Sequence, residues 1–392
     1  MNLVRSDIDI YRGNQWYDGT LRTPLVIAHT QEIPQGGGIL GVNAVRDNLV
    51  LVGRGGYLMC VDAKSKSILW EYDESSVAGI PTIYDSNGLF LTLNRNTLTA
   101  VEFATGSHLW KQESFGVLAL SSKYVIADDY RSATATLTCF DRRDGEFKWN
   151  YADLFGSGPI AIEKGKVVAK DSTALHIIDE HTGKLTWKII YSDFLAKHYP
   201  ERLAKWKKRP GGGGQLAPTI PDTRLGGIVD GTIYISWEIG IVAAIDVHNG
   251  ELKWSWCFPE GRDLNLARSI IHYNGNIYLH DAQGRGSLSY LYSVNASNGE
   301  TVFYTKDKVT PRGCAHSAIV GKYFIGASVN ALAVWDLEKQ ERVWVYEHKK
   351  GDIFDVPFAI TTTGIIASDP DRFRLHWLEC SLGNARFSLI SK

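Results

Sequence analysis

Asp179-Glu180-His181-Thr182-Gly183-Lys184-Leu185-Thr186-Trp187 follows the strand-like run Ala174 to Ile178. Together they read as a hairpin. The acidic side chain accepts backbone N–H bonds at the turn. The glycine four residues on supplies the positive φ that closes it. The Trp eight residues on sits in the outgoing strand with a flat face to pack on a neighbour. The rule recurs as Val61-Asp62 with Trp70, and as Val101-Glu102 with Gly106 and Trp110. It continues as Phe140-Asp141 with Gly145 and Trp149, and Ile245-Asp246 with Gly250 and Trp254. Weaker copies are Val294-Asn295 with Gly299 and Phe303, Trp335-Asp336 with Trp344, and Leu378-Glu379 with Gly383 and Phe387. Lys66 and Gln340 replace the glycine in two copies. Aromatic residues are 11% of the chain, so eight arbitrary positions would hold about one; here all eight are aromatic.

A second hairpin precedes each copy, as in Asn48 to Met59 and Gly88 to Thr99, so one period holds four short strands. A lone four-stranded sheet leaves a face bare, whereas a radial array of such sheets buries both. The expectation is an all-β, eight-bladed β-propeller of four-stranded antiparallel blades over residues 38–391, with seven blades as the alternative count. Residues 1–37 form an N-terminal extension packing on the ring, where Leu25 to Ala28 adds a strand or covers a face. Successive aromatic slots lie 38–49 residues apart except for one gap of 67, which places an insertion at 191–226 between the fourth and fifth blades.

The acidic-x-x-Thr-Gly-x-x-x-Trp pattern of 179–187, nearly repeated from Asp246 to Trp254, resembles the PQQ-type repeat of quinoprotein propellers. That resemblance implies blades locked by these Trp residues. It also names what an enzyme of the family carries: a secretory signal, an adjacent Cys-Cys pair over the quinone, and calcium ligands with a catalytic Asp. No adjacent cysteines and no D-x-D-x-D loop occur in this chain. The same repeat is found in outer-membrane assembly lipoproteins, protein-binding modules and signal-less proteins beside bacterial toxin genes.

Lys plus Arg number 42 and Asp plus Glu 43, a net charge of −1, which argues against attraction of the whole chain to nucleic acid or an acidic membrane. The first ten residues carry charges where a signal peptide needs an apolar run, so a cytoplasmic location is expected. Five scattered cysteines without C-x-x-C suit buried apolar positions in a reducing compartment rather than a metal site.

The insertion carries six basic residues and one acidic residue between 197 and 209. Pro200 and Pro210 bracket a short helix expected at 201–208. Two readings stand side by side: a solvated insertion without a role, or a recognition arm of Lys197, Arg202, Lys205, Lys207, Lys208 and Arg209, with Trp206 as anchor and Gly211 to Gly214 as a flexible tether. Arg262, Arg312 and Asp355, on loops leaving the Trp strands, complete the expected partner-binding set. Gly211 to Gly214 lacks the Lys-Ser/Thr of a phosphate loop. His181 and His248 share one turn slot, and His108, His176 and His376 read as packed strand residues. Arg312, Cys314 and His316 alternate along one loop, a poor geometry for a nucleophile and its base.

The sequence therefore points to a non-catalytic propeller without metal or cofactor. It binds a protein partner, and its sharpest form is a cytoplasmic immunity protein that neutralises a bacterial toxin with an acidic surface. A PQQ-dependent quinoprotein oxidoreductase and an outer-membrane assembly-type scaffold are the alternatives.

Overall fold

The computed structural model describes residues 3–5, 15–17, 25–32, 39–44, 49–54, 57–73, 82–85, 88–93, 97–102, 104–113, 115–129, 136–154, 160–208, 221–259, 266–282, 290–305, 316–328, 331–347, 358–360, 364–369 and 374–380. Their strands pair into propeller-type, four-stranded antiparallel blades. Six of these, where eight or seven were expected, are uninterrupted meanders spanning 39–73, 82–113, 115–151, 160–190, 223–257 and 266–304. A seventh meander, 316–347, is extended by Gln15–Tyr17, which lies parallel to His316–Val320, and by Leu3–Arg5 beyond it. The last sheet joins Ala359–Ile360, Gly364–Asp369 and Arg374–Cys380 to the N-terminal strand Leu25–Glu32. Residues 15–17 and 25–32 thus lie in sheets as hydrogen-bonded strands rather than as a cover over them.

The chain divides into two compact units. One holds Tyr11–Ile80 and Asp307–Lys392 with Met1–Arg5; the other holds Pro81–Lys306 with Ser6–Ile10. In the first unit the last sheet is buried on both sides. Ile365, Ala367 and Leu378 pack on Ala318, Val334 and Trp344, while Ile366, Leu375 and Trp377 pack on Val50, Val52, Met59 and Val61. In the second unit five consecutive blades pack face to face. Successive seams run from Leu98 against Phe115 and Phe140, through Cys139 and Trp149 against Val167 and Ile178, to Tyr234 and Trp254 against Ile277 and Val294.

The repeat rule builds these seams. Asp179 Oδ1 accepts the N–H of His181 at 3.2 Å and of Thr182 at 3.0 Å, and Gly183 N–H returns to Asp179 O at 2.9 Å with φ +67°. The indole of the preceding blade reaches this turn: Trp149 Nε1 donates to Glu180 O at 2.8 Å. Trp110 donates likewise to Arg142 O, Trp187 to Val247 O and Trp254 to Ala296 O, at 2.9, 3.1 and 2.8 Å. In each case the acceptor is the residue after the acidic or amide one. The indole also lies flat against the turn glycine, so closely that a methyl group on Gly183 would stand 2.6 Å from Trp149 Cδ2. Glycine therefore serves twice, for its positive φ and for its missing Cβ. Where no glycine stands, Lys66 and Gln340 take φ of 62° and 56° themselves.

Candidate functional site

After Leu185–Ile190 the chain turns into two short helices, α1 (Tyr191–His198) and α2 (Pro200–Lys207). Pro200 suits the first position of α2, where no N–H is needed. Asp193 and Glu201 sit in the first turns, while Lys197, His198, Lys205 and Lys207 sit in the last. Each sign faces the helix end whose partial charge it complements. Tyr191, Phe194 and Leu195 at i, i+3, i+4, with Leu203 and Trp206 at i, i+3, form the apolar stripe of the pair.

That stripe is buried against Trp237, Ile239 and Ile241 of the fifth blade and Leu175 and Ile177 of the fourth. Phe194 stacks on Trp237 with centroids 5.5 Å apart, and Tyr191 meets it edge-on at 6.1 Å. Tyr191 N–H donates to Thr173 O at 3.0 Å, and Arg202 Nη1 to Ile239 O at 3.1 Å.

The expected arm is therefore a seated platform of two helices where one was expected. Trp206 is only 4% exposed and fills the core beneath α2, so the reading of it as the anchor for a partner is corrected. Arg202 is half-buried and ties α2 to the fifth blade. Lys197, Lys205, Lys207 and Lys208 face outward, beside the exposed Asp193 and Glu201. Arg209, Arg262, Arg312 and Asp355, with Gly211 to Gly214, Cys314 and Gly383, lie outside the described residues. No helix among the described residues is long and apolar enough to cross a membrane.

A second constellation lies in the seam between the third and fourth blades. Tyr151 hydroxyl is 2.9 Å from His176 Nδ1, and His176 Nε2 is 3.1 Å from Asp171 Oδ2. The other oxygen of Asp171 accepts the N–H of Thr173 at 2.6 Å and of Ala174 at 2.7 Å, and the Thr173 hydroxyl at 2.9 Å. Burial pushes the Tyr151 hydroxyl up to about 12, with Asp153 and Asp171 adding to it. Burial also holds His176 below its ordinary value, against the pull of Asp171. A phenol that keeps its proton and a neutral imidazole make a fixed hydrogen-bond chain and a poor nucleophile–base pair. Sequence reading places His176 in the core and misses both partners, because Tyr151 comes from another blade. The Asp171-Ser172-Thr173 turn is its one local signal.

His108, expected to be packed, is exposed on the outer strand His108–Glu113. His376 is buried. Cys60 and Cys139 are buried in separate blades, where desolvation pushes the Cys60 thiol up to about 12, whereas Cys257, expected to be buried, is exposed. They form no vicinal pair, and no group of three His, Cys, Asp or Glu among the described residues is placed to hold a metal ion.

Face-to-face four-stranded blades, indole–glycine seams and Asx-type turns together define a propeller of the PQQ-like repeat class. A family model described as outer membrane protein assembly factor BamB matches residues 15–152 and 131–346, and the chain belongs to that family. Two curated relatives are similar at low identity. A BamB from Moranella endobia is 24% identical over 65% of this chain and 63% of its own length. A tetrathionate hydrolase from Acidithiobacillus ferrooxidans is 22% identical over 62% of this chain and 48% of its own length. The chain thus spans about half of the hydrolase and less than two thirds of the BamB relative. Among solved structures, BamB from Moraxella catarrhalis superposes with a TM-score of 0.61 at 15% identity, covering 91% of this chain and all of that one. Quinohemoprotein alcohol dehydrogenase ADHIIG from Pseudomonas putida HK5 gives 0.59 at 10% identity over 94% of this chain and 78% of its own. These likenesses carry the fold alone.

Proposed function

We propose that this chain is a non-catalytic propeller that binds a protein partner through the outward face of α1 and α2. The observation that carries this reading is the division of the helical pair. Its apolar side chains fix it to the fourth and fifth blades, and its lysines are left outside on a seated base. A surface of this kind needs little ordering on binding, which favours affinity. An acidic protein face is the complement to Lys197, Lys205, Lys207 and Lys208. The family's description as an assembly factor also supports protein recognition, and an assembly scaffold is the second reading it favours.

Charge reversal of the four lysines to Glu, with capture from the native extract, tests the proposal. Loss of a stoichiometric partner from an otherwise folded variant is the expected result; unchanged capture removes the platform from the account. In its sharpest form the partner is a bacterial toxin in the cytoplasm, and co-expression would then restore growth only with the lysines intact. An oxidoreductase reading would require a bound chromophore after quinone and calcium are added.

A further inference from the structure

Helix α1 begins on the hydrogen bond from Tyr191 N–H to Thr173 O, 3.0 Å long. Thr173 is held in turn by Asp171, whose Oδ1 takes both its N–H and its hydroxyl. Asp171 is 4% exposed, and its remaining oxygen is the acceptor for His176. His176, 2% exposed, meets Tyr151 from the neighbouring blade. One uninterrupted hydrogen-bond chain therefore leads from the seam of the third and fourth blades to the first residue of the platform.

We propose that Tyr151, His176 and Asp171 form a proton-sensitive latch that seats the helical pair and releases it on acidification.

In the neutral imidazole, Nε2–H donates to Asp171 and Nδ1 accepts from the Tyr151 hydroxyl. A second proton puts an N–H on Nδ1. Tyr151 must then turn its hydrogen away, and Asp153 is the carboxylate beside it. The new charge also lies where the His176 side chain is 3% exposed, and burying a charge there is costly. The charged groups facing the ring are Asp171 on its own turn, Asp153 from the third blade and Lys188 from the adjacent strand. Lys188 stands opposite His176 in the register and opposes the added charge. Lys170 and Tyr191 also feel the charge of Asp171.

Burial outweighs the two carboxylates, so the imidazole titrates below its ordinary 6.5. A depressed folded value means that the seated state is fully favoured above that ordinary value. The advantage is lost as pH falls through the lowered one. The open state, in which water reaches His176, gains in that window. Opening frees the 171–173 turn and removes the acceptor on which α1 starts. The basic platform then loses its fixed geometry.

This inference does not depend on the identity of any partner. It is read in the free, full-length protein by hydrogen exchange of residues 191–208 at about pH 7.5 and about pH 5, corrected for the intrinsic pH effect. The expected result is a loss of protection of at least about tenfold in the wild type and less than about twofold in His176→Gln, which carries no titrating ring. Protection that is unchanged between the two pH values overturns the latch, as does an equal loss in His176→Gln. If His176→Gln does not fold, the wild-type NMR titration of His176 decides. A midpoint that coincides with the exchange transition supports the latch, and a separate midpoint overturns it.

Discussion

Gly183→Ala and Gly165→Ala separate the two services a turn glycine performs. Both residues belong to the fourth blade and both have positive φ, +67° and +78°. An L-residue in that region costs about 1–2 kcal/mol. A methyl group on Gly165 meets nothing within 4 Å, so this backbone term is its whole cost. On Gly183 the methyl would stand 2.6, 2.7 and 2.8 Å from Trp149 Cδ2, Cε3 and Cγ. All three are ring atoms of an indole pinned by its bond to Glu180 O. Overpacking of this kind adds about 1–3 kcal/mol, for a total of about 2–5 kcal/mol. Gly250→Ala, 3.2 Å from Trp187, falls between them. Guanidinium titrations followed by tryptophan fluorescence give the order of midpoints. The expected order of loss is Gly183 > Gly250 > Gly165. In a Trp149→Leu background the excess at Gly183 should shrink toward the Gly165 cost, as coupled neighbours require. Equal midpoints for Gly183→Ala and Gly165→Ala would refute the indole–glycine seam.

Three further outcomes follow from the same geometry. Lys66→Gly and Gln340→Gly, at φ 62° and 56°, should each raise stability by about 1 kcal/mol, seen as a higher denaturant midpoint. Trp206→Ala removes a 4%-exposed side chain and should cost about 3–5 kcal/mol of local packing. Its mark is lost exchange protection over 191–208 while the outer strands of the second and third blades stay protected. Asp336 titrates below its ordinary 3.8: burial pushes it up, but the N–H groups of Lys339 and Glu338 and the Lys322 ammonium pull it further down. Its stabilising contribution is present above that range and lost as pH falls below it. Asp336→Asn should therefore flatten the acid limb of a stability-versus-pH curve.

The repeat was legible because each of its residues does local work that sequence displays. Asp179, Gly183 and Trp187 fix a turn whose geometry depends on no distant residue. The direction of the indole toward the next blade's glycine, as of Trp149 toward Gly183, needs coordinates. Trp206 was misread because six basic residues between 197 and 209 drew attention to charge. The i, i+3, i+4 spacing of Tyr191, Phe194 and Leu195 was the better guide, since an apolar stripe on a charged helix marks the buried side. The Tyr151–His176 contact joins residues 25 apart across a seam, and no local pattern announces it.

The most direct test of the whole account places a photo-crosslinking residue at Lys205 on α2 or at Lys208 just past its end, and at the exposed Arg143 on the Asp141 turn of the third blade, in cells that contain the native partner. The account predicts a discrete protein adduct from positions 205 and 208 and none from 143. Adducts from 143 alone would contradict it.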